Sequence, residues 1–378
     1  MQRSFYSLVT AGAMLTACCY GFARFGYGLF TPVLSDEFTL SPATVGAIGS
    51  GSYIGYCVAI VASTVLTERI GARSVAVAAG VVATLGVALV AAAPSTILLT
   101  AGVLVAGSST GLASPPLAAA VARWVRADVR DRAQTVVNAG TGVGVVLSAP
   151  IALLLFAHWR LAWAVMALIT AVVTAVVAWA VPAAETGARR LVPPAAWRAG
   201  SPGLVTASLL TGFGSAAVWT FGRDLAGGLG DTTSVVIWTV LGAAGIAGAF
   251  GGDLVQRIGL APAWRLLTVA MAGATLAYAV CADIASAVAA AAALFGATYI
   301  ALSGLLLLWA TRVYPDGVSF GVALAFFAIA AGQAVGAPVV GALAQSAGVA
   351  TAFVIAAGVG ITALLVRPAR SPQNERAG

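Results

Sequence analysis

Lysine is absent from this 378-residue sequence, histidine occurs once, and acidic residues number only 12. Charged residues make up 8% of the chain, whereas a soluble globular domain carries about 25%. Hydrophobic residues reach 61%, and the mean hydropathy is +1.01. This composition excludes a soluble globular protein and predicts an all-α integral membrane protein that contacts the lipid bilayer.

Cysteine is also scarce, and its positions exclude a disulfide framework. The four cysteines all lie within apolar runs: Cys18, Cys19, Cys57 and Cys281. No metal-ligand spacing, nucleotide-binding loop or nucleophile–base pair is visible, so we expect no metal, no cofactor, no catalytic residue and no enzymatic activity. The arginines lie in short loops between apolar runs, so the net charge of +7 does not indicate a nucleic-acid partner.

Apolar runs of membrane length follow one another along the chain. They cover roughly 6–33, 42–66, 74–93, 96–123, 133–157, 160–182, 203–222, 232–256, 263–282, 285–312, 318–345 and 349–367. The longest break carries charges and prolines. The pattern predicts twelve transmembrane helices divided into an N-terminal half (1–182), a cytoplasmic linker (183–201) and a C-terminal half (202–378).

The arginines predict the orientation in the membrane. With twelve helices, 16 of the 19 arginines fall on the side that holds the termini and the linker. Cytoplasmic loops carry the excess of basic residues in membrane proteins. We therefore expect both termini to be cytoplasmic.

The sequence contains an internal repeat. The segment 64–71 reads TVLTERIG, and the segment 252–259 reads GDLVQRIG, at an offset of 188 residues. The same offset pairs Gly144 with Gly332. One register kept at separate landmarks predicts two parallel, pseudo-symmetric six-helix halves related by an axis along the membrane normal.

The repeated loops resemble the signature of the major facilitator superfamily, G-x-x-x-D-R-x-G-R-R. The first copy matches it at Glu68, Arg69, Gly71 and Arg73. The second copy keeps Arg257 and Gly259 but has Gln256 at the acidic position. The resemblance implies the major facilitator fold and a gate on the cytoplasmic side, where these charged residues form salt bridges between helix ends.

Within the superfamily, GFARFGYGLFTPVL in the first helix is similar to the YbfB-like bacterial group, which implies a bacterial cytoplasmic membrane. Helix five keeps the glycine spacing of the superfamily's antiporters at Gly140 and Gly144 but lacks their Gly-Pro pair. Helix four has Gly107 where many proton-linked members have arginine. Both departures argue against drug/proton antiport.

The first helix carries the strongest candidate site. Thr16, Tyr20, Arg24, Tyr27 and Thr31 share an arc of roughly 80° on an ideal α-helix. A charge at membrane depth costs at least ~2.5–3.5 kcal/mol, so Arg24 should face protein or water. We expect this stripe to line a water-filled cavity, with Arg24, Tyr20 and Tyr27 contacting the substrate. The alternatives are that Arg24 extends to the outer interface or closes a buried polar network.

Other helices supply further candidates for substrate binding. Gln134 and Asn138 share an arc on helix five, beside a small-residue face at Gly140 and Gly144 that should pack against a neighbour. Helix seven offers a polar and an aromatic residue at the cavity, and helices ten and eleven add weaker candidates. These candidates are Ser215 and Trp219 on helix seven, Tyr299 on helix ten and Gln333 on helix eleven.

The leading hypothesis is a monomeric secondary transporter that moves a small solute, in particular an organic anion, by alternating access. The alternatives are an efflux pump for hydrophobic drug-like or metabolite molecules and a membrane receptor without transport activity. The acidic residues fall in loops or near helix ends, so we expect no proton coupling through a carboxylate at membrane depth. Arg223 and Asp224, near the outer end of helix seven, are expected to form an ion pair or a gate.

Overall fold

The computed structural model describes residues 2–183, 197–315 and 317–368, and the secondary structure of these residues is helical throughout. Eleven of its helices are long and apolar enough to cross a membrane, and a twelfth apolar helix is shorter. We label them α1 (Tyr6–Phe38), α2 (Pro42–Ile70), α3 (Ala72–Ala91), α4 (Thr96–Trp124), α5 (Arg132–Leu154), α6 (Trp159–Ala180), α7 (Ser201–Leu229), α8 (Asp231–Ile258), α9 (Leu260–Val280), α10 (Ala285–Val313), α11 (Phe320–Ala347) and α12 (Val349–Leu365).

The predicted helix count and most of the predicted boundaries are confirmed to within a few residues. Local chemistry explains where helices begin. Ser41 caps α2, its hydroxyl accepting from the backbone N–H of Thr44 at 3.2 Å, and Pro42 occupies the first turn. Most of the predicted linker lies outside the described residues.

The two copies of the repeated loop share one backbone conformation. Gly71 separates α2 from α3 with φ 84° and ψ 156°, and Gly259 separates α8 from α9 with φ 87° and ψ 162°. A residue with a Cβ atom has a strained backbone at these positive φ values, so both turns require glycine. Gly230 and Gly348 adopt nearly the same conformation at two other junctions, so it is a general feature of the tight turns between consecutive helices here.

The salt bridges predicted for these loops do not form among the described residues. The side chains of Glu68, Arg69 and Arg257 are exposed, and Arg73 is half-buried. Ion pairs occur elsewhere in the described chain: Arg126–Asp128, Arg160–Glu37 and Arg223–Asp231. The loop charges extend into solvent, where water satisfies them and pairing contributes little.

A π-helical segment interrupts α1 between Ala17 and Arg24. The α-helical geometry resumes at Gly26, after Phe25 donates its N–H to the carbonyl of Tyr20 at 2.9 Å. A π-helix has more residues per turn than an α-helix, so it rotates the residues that follow about the helix axis. The arc calculated for an ideal α-helix therefore does not describe α1.

Helices of the first six pack against helices of the last six mainly at three places. α1 meets α7, where a Cβ on Gly28 would overlap the carbonyl oxygen of Trp219. α2 meets α11, where a Cβ on Gly46 would overlap the carbonyl oxygen of Ala337. α5 meets α8. Small residues at these positions let the backbones approach closely.

The small-residue face predicted on α5 is confirmed as a packing surface. A Cβ on Gly140 would overlap the carbonyl oxygen of Ala13, and one on Gly144 would overlap that of Ala17. Both contacts join α5 to α1. They hold α5 against the start of the π-helical segment that carries Arg24.

We expect Gly144→Ala to lower the free energy of unfolding by about 1–3 kcal/mol, because the added methyl overlaps fixed backbone atoms. The matched control is Gly304→Ala on α10, where an added Cβ meets no atom within 4 Å. That variant should be neutral or slightly stabilising, since alanine favours helix over glycine. Thermal unfolding of both variants in detergent tests this, and equal midpoints would contradict the close α1–α5 packing.

Candidate functional site

Arg24 lies at the end of the π-helical segment, and its side chain is only 6% exposed. The guanidinium donates from Nη2 to Oε1 of Gln333 on α11, so its hydrogen-bond partner is a neutral amide. Nε is buried and has no hydrogen-bond partner in the structure. The positive charge of Arg24 therefore has a hydrogen-bond partner that does not neutralise it.

Four aromatic rings surround the guanidinium. Its Cζ lies 4.7 Å from the ring centroid of Tyr56, 5.1 Å from Tyr53, 5.3 Å from Phe25 and 5.6 Å from Tyr20. Cation–π contacts contribute up to ~2 kcal/mol each when they are desolvated. These contacts explain how an arginine is held at membrane depth without a carboxylate.

Gln333 connects Arg24 to α7 and α10. Its side chain is fully buried, and Nε2 donates to Oγ of Ser215 on α7 at 3.2 Å and to the hydroxyl of Tyr299 on α10 at 3.4 Å. The structure thus brings together four of the predicted candidates: Arg24, Ser215, Tyr299 and Gln333. A fifth candidate, Tyr20, joins them through its ring, and its hydroxyl bonds Ser114 at 2.8 Å.

Trp219 lies beside this cluster but is almost fully buried. Its ring stacks on Phe25 with centroids 3.7 Å apart and meets Tyr299 edge-on at 5.3 Å. Phe295 stacks on Tyr299 in turn, at 5.9 Å. An aromatic layer therefore extends from Arg24 towards α10.

The structure brings only two of the five α1 residues to the Arg24 cluster, and substrate contact by Tyr27 stays a prediction. Thr16 and Thr31 are buried, and their hydroxyls donate to the carbonyls of Gly12 and Tyr27 in the preceding turns. Tyr27 donates to the carbonyl of Val45 at 3.1 Å, which joins α1 to α2. The π-helical segment changes the rotation of Thr16 relative to Arg24, whereas Tyr27 and Thr31 lie beyond that segment and bond α2 and α7, so only Tyr20 and Arg24 reach the polar cluster.

Gln134 and Asn138 form no hydrogen bond with the Arg24 cluster. They are half-buried, and Nε2 of Gln134 donates to Oδ1 of Asn138 at 3.3 Å, one turn further along α5. Neither amide bonds Arg24 or Gln333. Their role as substrate contacts stays a prediction.

Sequence reasoning missed Phe25, Tyr53 and Tyr56. A signal for the two tyrosines was present, since they stand three residues apart on α2 among glycines and serines, in the run GSGSYIGY from Gly49. That spacing places both on one helix face. For Phe25 no such signal exists, because its orientation depends on the end of the π-helical segment.

A second buried arginine lies on α7. Arg223 is 1% exposed, and its Nη1 donates to the carbonyl of Leu29 on α1 at 2.7 Å. Its Nη2 lies 3.4 Å from Oδ1 of Asp231 at the start of α8. The predicted gate residue therefore bonds a helix of the first six, and the acidic partner Asp231 was not foreseen.

The chemistry of the Arg24 cluster suits the binding of an anionic or polar group. A guanidinium is a fixed cation that can hold two oxygens of a carboxylate. Tyrosine hydroxyls, a serine hydroxyl and an amide supply further hydrogen bonds. The acidic side chains that the structure describes lie within about two turns of a helix end or in loops, and none bonds Arg24.

Comparison with known proteins identifies the family and the fold. A sequence model of the Major Facilitator Superfamily matches residues 13–319. No curated protein sequence matches the chain. Among solved structures, the xylose transporter XylE from E. coli, in a partially occluded inward-open conformation, aligns with a TM-score of 0.77 and 14% identity over 96% of this chain and 97% of that one.

Two further solved structures align over nearly the whole chain. A mutant of the nucleoside transporter NupG has a TM-score of 0.74 at 10% identity, covering 96% of this chain and 98% of its own. A bacterial homologue of the human lysosomal transporter Spinster, inward-facing and unoccupied, has a TM-score of 0.71 at 13% identity, covering 97% and 95%. At these identities the likeness concerns the fold.

Proposed function

Because this chain belongs to the major facilitator superfamily, whose members are multi-pass membrane transporters, we propose that it moves a small organic anion by alternating access. The observation that carries the proposal is the guanidinium of Arg24, buried with a neutral amide as its hydrogen-bond partner and with Nε unpartnered. An anion would gain a charge-assisted hydrogen bond there, typically worth ~1.5–3 kcal/mol.

The proposed movement separates the two six-helix halves around this site. Arg24 and Gln333 belong to different halves, so a ligand between them contacts both. With the termini cytoplasmic, as the arginine distribution favours, the Gly46–Ala337 and Leu29–Arg223 contacts lie towards the outer side. The arrangement then corresponds to a monomeric carrier of the cytoplasmic membrane that is closed to the outside.

The aromatic layer favours a second candidate, an exporter of hydrophobic aromatic molecules. Phe25, Trp219, Phe295 and Tyr299 are buried and pack on one another, and separation of the halves would expose ring faces on which a flat apolar molecule can stack. Such a substrate does not require Arg24 to be charged. The two candidates therefore differ in whether a neutral analogue of the substrate is carried.

Uptake into liposomes that contain the purified protein tests the proposal. Radiolabelled carboxylates should accumulate with saturable kinetics, and their uncharged amides should neither be carried nor compete. Liposomes without protein give the background. Equal transport of acid and amide would favour the exporter of hydrophobic molecules, and transport of cations alone would contradict the proposed anion carrier.

A further inference from the structure

We propose that Gln333 occupies the place of the substrate carboxylate on Arg24 in the empty transporter, and that a flat monocarboxylate displaces it. This inference rests on the proposed function and adds the substrate class and the residue that competes with it. Gln333 is then a positioning residue, because it acts on the substrate through Arg24.

The first observation is the geometry of the guanidinium. Oε1 of Gln333 accepts from Nη2, and the neighbouring Nε is buried without a partner. A carboxylate binds arginine through two parallel N–H···O bonds, and the Nε–Nη2 edge is one of the edges that offers such a pair. An amide has one acceptor oxygen, so Gln333 satisfies half of this edge and leaves the other donor unpaired.

The second observation concerns charge. The hydrogen-bond partners of the cluster are neutral, and the described acidic side chains bond none of Arg24, Ser215 and Tyr299. A carboxylate carries a full negative charge that the amide lacks, so it should replace the amide on Arg24. A zwitterion would place its ammonium group among rings and hydroxyls without an anionic partner, and a dianion would leave one charge unpaired. The site therefore fits a single negative charge.

The third observation is the shape of the surroundings. Ring centroids of Tyr20, Phe25, Tyr53 and Tyr56 all lie within 5.6 Å of the guanidinium carbon. These rings are packed around the cation, so a body attached to a bound carboxylate would meet ring atoms when the halves separate, which suits a flat apolar body. Benzoate has this shape and charge, and benzamide is its uncharged counterpart.

Displacement would also break a link between the halves. Gln333 connects Arg24 on α1 to Ser215 on α7 and Tyr299 on α10. When its amide leaves Arg24, this hydrogen-bonded connection between α1 and the C-terminal half is lost. Substrate binding would thereby weaken the contacts that hold the halves in the present arrangement.

The test is the affinity of the purified protein in detergent for benzoate, taken from the shift in thermal unfolding with concentration. We expect wild type to bind benzoate and not benzamide. Gln333→Ala should bind benzoate at least as tightly as wild type, because the competing amide is gone. Gln333→Glu should lose binding, because its own carboxylate occupies Arg24 and the hydroxyls of Ser215 and Tyr299 can donate to it.

The matched control is Gln256→Glu, which makes the same change of charge at an exposed position on α8 and should bind like wild type. If Gln333→Ala binds benzoate tenfold more weakly, Gln333 is a direct ligand and the inference is overturned. Normal binding by Gln333→Glu would overturn it too, and this variant keeps a polar side chain should the alanine variant fail to fold.

The remaining outcomes separate the inference from the proposed function. Equal benzoate affinity of wild type and Arg24→Ala would refute the anion site itself. Absence of benzoate binding in wild type would refute the flat monocarboxylate and the displacement inferred from it, while uptake of other carboxylates into liposomes would still support the anion transporter.

Discussion

Replacing Arg24 with alanine is expected to abolish saturable uptake of the transported anion while the protein remains folded. The variant removes the buried cation of the cluster and a bond that is worth ~1.5–3 kcal/mol to an anionic ligand. It also removes the cost of holding a charge at membrane depth, so the helices should still insert and pack. The four ring contacts are lost as well, so thermal stability should fall, but the folded fraction should show neither saturable transport nor ligand binding.

Arg24→Lys separates charge from geometry. Lysine keeps the positive charge but presents a single ammonium group in place of the planar fork, so two oxygens can no longer be held in parallel. We expect the affinity for the anion to fall about tenfold, which corresponds to ~1.4 kcal/mol.

Arg126→Ala serves as the control for these variants, since that arginine pairs with Asp128 at the surface, where ion pairs contribute little. Normal uptake by Arg24→Ala would mean that the arginine has a structural role and does not bind the substrate.

Replacing Arg223 with alanine is expected to open the end of the transporter at which α1 and α7 meet. Its bond to the carbonyl of Leu29 is a charge-assisted hydrogen bond between the halves, fully buried and 2.7 Å long. Losing ~1.5–3 kcal/mol from the closed arrangement should raise the open population about ten- to a hundredfold. Uptake should slow as well, because the carrier would spend less time in the closed arrangement.

A cysteine at Thr220 reports this opening, because Thr220 is 2% exposed and lies where α1 and α7 meet. On a background without the four native cysteines, a membrane-impermeant maleimide should label Thr220→Cys several-fold faster when Arg223 is alanine. Asp231→Asn is the matched control, since it removes the 3.4 Å ion pair but leaves the bond to Leu29 in place. Unchanged labelling in the arginine variant would show that other contacts close this end.

The sequence alone was sufficient for the transmembrane architecture. Apolar runs, capping residues such as Ser41 and turn glycines such as Gly71 act over a few residues, so hydropathy and local chemistry place the helices. The glycines at 140 and 144 were also assigned correctly to helix packing, because small residues four positions apart form one narrow strip on a helix.

The sequence also identified the residue that most needs an explanation. Any arginine within an apolar run must find compensation, so Arg24 stood out from composition and position alone. The nature of the compensation could not be predicted, because it comes from α2 and α11. Gln333 is 309 positions away in the chain, and no local pattern indicates which of several buried polar residues meets the guanidinium.

The tertiary structure decided which side of α1 faces the site. The π-helical segment from Ala17 to Arg24 alters the rotation between Thr16 and the residues from Arg24 onward, whereas Tyr27 and Thr31 lie further along the axis, where they bond α2 and α7. Such a segment persists when tertiary contacts support it, here the close approach of α5 at Gly144 and the packing of Phe25 on Trp219. Hydropathy determines that a helix crosses the membrane, whereas contacts with its neighbours determine how it is wound and which side chains meet.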